Sequence, residues 1–296
     1  MLTLASDFGS PYPAVMKGVI RQQTDAEIID IAHDFPRGDP RSAAFWLRFV
    51  LPEFPPSVHC AVIDPGVGTD RDAIVIRAGA HVIVAPDNGL GLPPARALAT
   101  DEAAIEVFTV VGADPDSATF HGRDVFAPVA AQIHAAIDAD TAAQTATTVA
   151  RVLADLDVLT PTDGPAEIVF PEPTVEPAGA DGDAATNDVD GDLSEFAADD
   201  TDEEVVIDGA VLVTDRFGNV ITNVPGRALE GRDWVRVNGE LTPVVETFGA
   251  VDPGERLVTV GSHGYVECDV NDGRGDSAFD LQPGDSVRIV PDNVSV

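Results

Sequence analysis

The sequence predicts an α/β domain built on a largely parallel sheet, followed by a small all-β, barrel-like domain. Three observations lead there. Up to Ile137, strand-length apolar runs alternate with segments of helical apolar spacing, the order expected of strands joined by crossover helices. Between Glu172 and Glu204 there are 13 acidic residues and no lysine or arginine. Such a stretch has too little apolar surface to offset the entropy of ordering it. Beyond Val205 only short strand-like runs and turns remain, as in a barrel or sandwich. The expected domains are 1–171 (α/β), 172–205 (a disordered acidic insertion or linker) and 206–296 (β).

"MLTLASDFG" reads as the first strand, ending at Asp7, and "YPAVMKGVIRQQT" as a helix with apolar positions at helical spacing. "AEIIDIAHDF" is a second strand, ending at His33 and Asp34. "PRSAAFWLRFVLPEF" is a second helix, with Pro40 near its start, where a missing N–H is tolerated. "SVHCAVIDPG" is apolar enough for a strand covered on both faces. "DAIVIRA" and "HVIVAPDNG" form a hairpin or adjacent strands, and "GRDVFAPVAAQIHAAI" a further helix. In the second domain, "GAVLVTDRFGNVITNV", "DWVRVNGELTPVV", "RLVTVGSHGYVECDVNDG" and "DSVRIVP" supply strands and turns. Ligands of α/β sheets sit beyond the carboxyl ends of the strands. Asp7, His33, Asp64 and Asp87 all fall at such ends, with Arg71 and Asn88 close by in sequence. A polar site is therefore expected there.

Asp plus Glu is 51 and Lys plus Arg 17, a formal net charge of -34, and Lys17 is the single lysine. Phosphate binding needs a basic surface, so no nucleic-acid partner is expected. Abundant short carboxylates with so little lysine predict adaptation to high salt. There the Debye length falls to about 3 Å and carboxylate repulsion is largely screened. Cys60 and Cys268 lie in apolar runs and read as buried free thiols. No cysteine spacing suits zinc, and no metal is expected. The start "MLTLASDFGS" lacks the features of a signal peptide. No apolar run reaches the roughly 18 residues of a membrane span. The expected location is the cytoplasm.

Each motif alone is weak, but their order is specific. "SDFG…MKGVI", "HDFPRGD", "IDPGVGTDR", "PDNGL", "TFHGRD", "DRFGN" and "GS.G..E..VN" follow one another across nearly the whole chain, the acidic stretch excepted. Together they resemble the S-adenosyl-L-methionine hydrolases that form adenosine, the hydroxide adenosyltransferases, a family related to fluorinases and chlorinases. The resemblance implies an α/β domain, a β domain, and a homotrimer with active sites between subunits. It also implies attack by water or hydroxide at the ribose C5′ of S-adenosyl-L-methionine, giving adenosine and methionine. S-adenosyl-L-methionine is then the substrate, and no cofactor is implied, because methionine leaves as a neutral thioether.

By the same resemblance Asp64, Arg71 and His121 handle the nucleophile, and which of them takes the proton stays open. Asp7 corresponds to an aspartate at the ribose hydroxyls. Asp215 and Asn219 correspond to residues at the methionine amine and the adenine, Phe217 to an aromatic at the nucleoside, and Ser262 to a serine near the methionine carboxylate. Glu267 and Val270 correspond to positions lining the adenine end. The loop after Asp7 is shorter than usual and lacks a second aspartate, and His263 stands where a small or aromatic residue is common. Two alternatives stay open. The related halogenases carry a tyrosine and a serine at the positions of Asp64 and Gly122, which speaks against halogenation. A non-catalytic protein binding the nucleoside or S-adenosyl-L-methionine has no need of the Asp64–Arg71–His121 set.

Overall fold

The computed structural model describes residues 1–140, 144–177 and 205–292. These form two compact units, Met1–Val169 and Phe170–Val296.

In the first unit the strands are β1 (Leu2–Ser6), β2 (Ile28–Ala32), β3 (Val58–Val62), β4 (Ala73–Ala78), β5 (His81–Pro86), β6 (Ile105–Val110) and β7 (Leu159–Pro161). Among the described residues they make one sheet in the order β2-β1-β3-β5-β4-β6-β7. The pairings from β2 through β1 and β3 to β5 are parallel, and those of β4, β6 and β7 antiparallel. The α-helices are α1 (Tyr12–Arg21), α2 (Pro40–Val50), α3 (Leu92–Leu98), α4 (Ala127–Ala139) and α5 (Ala146–Ala154).

One sheet face presents Leu4, Cys60, Val62 and Val84 to a core shared with Met16, Ile20, Phe126 and Ile133. Full burial of such a side chain contributes roughly 1.5–3 kcal/mol. On the opposite face α3 is preceded by Gly91, where a Cβ would meet Ile76 and Ala85, and α2 packs on α3. The strands are thus covered on both sides, which accounts for their unbroken apolar runs. α2 begins where expected: Pro40 is its first residue, and the Asp39 carboxylate accepts from the Ser42 N–H at 3.0 Å. The segment expected to be one helix from Gly122 divides in two. Gly122–Phe126 is a single π-helical turn, and α4 continues from Ala127.

In the second unit the named strands pair antiparallel throughout. Its strands are β8 (Thr174–Pro177), β9 (Val205–Thr214), β10 (Val220–Pro225), β11 (Trp234–Val237), β12 (Glu240–Pro243), β13 (Arg256–Val260), β14 (Tyr265–Val270) and β15 (Ser286–Asp292). They run β12-β11-β15-β9-β10-β14-β13, with β8 on β9. A bridge between Val244 and Val258 brings the two ends of the sheet together, so the sheet is a nearly closed barrel. Its core includes Val211, Val220, Val235, Val258, Val266, Cys268 and Val287. One short helix, α6 (Gly275–Phe279), packs on β14.

The acidic stretch expected to be disordered from residue 172 begins otherwise. Thr174–Pro177 pairs with the start of β9, Thr174 opposite Asp208. Just before it, the Pro171 carbonyl accepts from Asn223 of β10 at 2.8 Å. A short edge strand tolerates prolines and charges that would disrupt a central one, so its composition hid it. The remainder, 178–204, lies outside the described residues. Both cysteines are buried free thiols. No described helix is long and apolar enough to cross a membrane.

Candidate active site

A cavity of about 950 Å³ opens in the first unit, lined by Asp7, Phe8, Tyr12, Arg37, Asp64, Phe120 and His121 among others. Asp7 directly follows β1, and Asp64 follows β3 by one residue. These are carboxyl ends of parallel neighbours, where an open α/β sheet leaves its crevice.

Two glycine turns build the far wall. Gly68 in the "DPGVG" turn has φ +79°, and a Cβ there would lie 2.5 Å from the Ala118 carbonyl oxygen. Only glycine accepts both that conformation and that approach. The two loops, 64–71 and 117–122, therefore close on one another, bringing Asp64 and His121 to the same cavity. Gly66 instead makes room for the arginine, since a Cβ there would stand 3.1 Å from Arg71 Nε.

Asp64 is held from several sides. One carboxylate oxygen accepts from the Gly66 N–H at 3.0 Å, and the other is ion-paired with Arg71 Nη2. Arg71 also donates to the Asp72 carbonyl at 2.7 Å. The Asp64 side chain is only 3% exposed. Burial raises its pKa above the usual carboxylate range, and Arg71, the Gly66 N–H and the charge of His121 only partly offset this. Arg71 orients the carboxylate, then, but desolvation governs its basicity. A buried carboxylate with a raised pKa is a stronger base than one in water.

Asp7 accepts from the Gly38 N–H at 2.6 Å, which fixes it on the cavity wall. Phe8 and Tyr12 meet Phe120 edge-on, at centroid distances of 6.2 and 5.4 Å. Arg123 lies over the Phe120 ring and is paired with Asp124. A Cβ at Gly122 would stand 3.2–3.3 Å from Phe8, Met16 and Phe120. This aromatic wall and Arg37 went unread in the sequence, where "TFHGRD" did place Phe120 beside His121.

Two strand-end residues do other work. The Asp87 carboxylate accepts from the Ala166 N–H at 2.7 Å, and Asn88 donates to the Ile63 carbonyl at 2.9 Å. Both tie backbone segments together and neither lines the cavity. His33 likewise bonds Ser6 Oγ at 2.7 Å and Asp30 at 3.0 Å.

The other expected residues belong to the second unit. Asp215 accepts from the Asn219 N–H at 2.9 Å and from Asn219 Nδ2 at 3.2 Å, closing the "DRFGN" turn through Gly218 at φ +93°. Phe217 at its tip is 77% exposed and takes no part in the barrel core. Ser262 is exposed in the turn before β14, and Val270 is buried. His263 Nε2 lies 2.8 Å from Glu267 Oε1, while Nδ1 accepts from the Tyr265 N–H, which makes Nε2 the protonated nitrogen. Asp269, two residues beyond Glu267 on the same strand face, is fully buried with both carboxyl oxygens outside regular hydrogen-bond geometry. Its pKa is pushed up to about 8 by burial, then by the adjoining Glu267 and by Asp215. Among the described residues no group of three His, Cys, Asp or Glu is placed to hold a metal ion.

Comparison with known proteins places these features. The model of the SAM hydroxide adenosyltransferase N-terminal domain matches residues 2–143, and that of the C-terminal domain residues 209–288. The chain is 38% identical over 295 residues to a Salinispora tropica protein named (R)-S-adenosyl-L-methionine hydrolase, covering 97% of each. A Thermus thermophilus protein of the same name is 34% identical over 296 residues, covering 96% of this chain and 97% of its own. Among solved structures, an uncharacterized conserved protein from Thermotoga maritima superposes with a TM-score of 0.71 at 30% identity, over 98% of this chain and 100% of that one. In fold, in motif order and in both domains, the chain belongs to the SAM hydroxide adenosyltransferase family.

Proposed function

We propose that the protein hydrolyses S-adenosyl-L-methionine to adenosine and L-methionine, by attack of water on the ribose C5′. The observation that carries the reading is Asp64: a buried, raised-pKa carboxylate on a cavity wall, aimed by Arg71 and facing the same space as His121. In the step itself, a water oxygen bonds to C5′ as the C5′–S bond breaks. The bonding pair leaves with sulfur, which becomes the neutral thioether of methionine. The water proton passes to Asp64, and His121 returns it to solvent. Holding water in line with the C–S bond is the main requirement, since the leaving group already carries the positive charge. The rings of Phe8, Tyr12 and Phe120 suit a sulfonium cation, whose charge their faces attract.

Asp7 binds the ribose hydroxyls in this reading. Asp215, Phe217, Asn219, Ser262, Glu267 and Val270 serve the adenine and amino-acid ends, and the protein is a homotrimer that works without a cofactor. The names of the relatives favour the (R)-sulfonium epimer. Halogenation is disfavoured by the packing at Gly122, where a serine side chain would crowd Phe8, Met16 and Phe120. The test is to incubate pure protein with each sulfonium epimer in molar KCl and separate the products. Adenosine and methionine in equal amounts are expected. 5′-Chloro-5′-deoxyadenosine would identify a halogenase, and bound but unchanged S-adenosyl-L-methionine a binding protein.

A further inference from the structure

The chain has 17 basic residues against 51 acidic ones, and all 17 fall among the described residues. In such a chain a cation finds a carboxylate or carbonyl almost anywhere. Arg71 is paired with Asp64, Arg123 with Asp124, Arg77 with Glu106, and Lys17 with Asp30. Arg37 is the exception: it has neither a hydrogen bond nor an ion pair among the described residues. It is also one of the residues that line the cavity. Its neighbour Gly38 is anchored to Asp7 through the backbone N–H at 2.6 Å, so the base of the side chain is fixed on the cavity wall.

We propose that Arg37 is a specificity-determining residue that binds the α-carboxylate of the substrate's methionine moiety. The proposal rests on the reading of the cavity as an S-adenosyl-L-methionine site. That molecule has one anionic group, its carboxylate, and two cationic ones. The cavity offers the rings of Phe8, Tyr12 and Phe120 to the sulfonium, and its carboxylates Asp7 and Asp64, assigned above to the ribose hydroxyls and the water, would repel the substrate's own carboxylate. Its other guanidinium, Arg123, is already committed to Asp124. An unpaired guanidinium is poorly suited to the sulfonium or the amine and well suited to a carboxylate, which its planar fork meets with two parallel hydrogen bonds. A carboxylate accepts several hydrogen bonds, so the Ser262 hydroxyl proposed above is not displaced.

The test uses two unreactive thioethers that differ only in the carboxylate: S-adenosyl-L-homocysteine and its decarboxylated amine. Each is titrated calorimetrically into the full-length protein and into Arg37→Ala and Arg37→Lys, in molar KCl. For Arg37→Ala, affinity for the carboxylate ligand is expected to fall about tenfold or more, the scale of a lost charge-assisted pair. Affinity for the amine should change less than about twofold, which also shows that the variant is folded. Arg37→Lys should lie between, keeping the charge and losing the fork. With S-adenosyl-L-methionine, KM should rise while kcat is nearly unchanged, as for binding equal in ground and transition states. Equal losses for both ligands, or no loss for either, would overturn the assignment. Because binding is read with thioethers, these outcomes decide about Arg37 even if turnover is absent, which would instead count against hydrolysis.

Discussion

Asp64 lies under opposed influences, and their balance defines what it does. Burial raises its pKa, while Arg71, the Gly66 N–H and His121 act the other way without cancelling it. Asp64→Asn keeps the shape and removes the base. Single-turnover adenosine formation should fall roughly 10²-fold or more, the scale of a lost general base. Affinity for S-adenosyl-L-homocysteine should change much less. Arg71→Ala should act in the same direction, and the double variant should be little worse than Asp64→Asn, as for residues working as a unit. The wild-type rate should decline on acidification from a pH above the ordinary carboxylate range, since the base must be ionised. Near wild-type turnover in Asp64→Asn would remove the assignment. At this scale the ordered motifs singled out Asp7, Asp64 and His121, which line one cavity, and Arg71, which pairs with Asp64. Arg37 and Tyr12 were not, because a lone cation in a loop or a single aromatic at the start of a helix has no periodicity, and only the fold shows which face it takes. Asp87 and His33 do other work: at a strand end a carboxylate can hold a backbone N–H, as Asp87 does, and an imidazole can bridge neighbouring side chains, as His33 does between Ser6 and Asp30.

At the scale of elements, glycine geometry joins the two site loops. Gly68→Ala forces a positive φ, at a cost of about 1–3 kcal/mol. It also drives a Cβ against the Ala118 carbonyl, so the 117–122 segment must move. Chemical denaturation should show a lower midpoint, and turnover should fall further than stability; unchanged turnover would mean the loops need not touch. On β14, Asp269 bears on pH. Unfolded, it ionises near the usual aspartate value; folded, it keeps its proton up to about 8. The folded state therefore holds the extra proton between those values, and stability falls as pH rises from about 4 to about 8, then levels. Asp269→Asn should flatten that slope, by at most about 1.4 kcal/mol per pH unit. A slope identical to wild type would show that Asp269 ionises normally. The alternation of strands and helices was plain in the sequence; of the two arrangements it left open for β4 and β5, a hairpin or adjacent strands, the structure has the hairpin. β8 was not, because an exposed edge strand has the composition of a linker. Nor was the π-helical turn at Gly122–Phe126, which has the same apolar spacing as the helix it precedes.

For the whole molecule, charge sets the conditions in which any of this operates. A formal charge of -34 with a single lysine is expected to make folding depend on salt. Circular dichroism from molar KCl down to about 0.1 M should show loss of structure as the screening length grows. A fully folded protein at the lower salt would contradict adaptation to high salt. The reaction itself concerns where one oxygen atom goes. The most direct measurement is turnover of S-adenosyl-L-methionine in ¹⁸O-labelled water with molar KCl, followed by mass spectrometry of the products. Attack of an Asp64-directed water on C5′ predicts adenosine carrying ¹⁸O at its 5′-oxygen and methionine without label. Adenosine lacking the label, a 5′-chloro product, or no adenosine at all would contradict it.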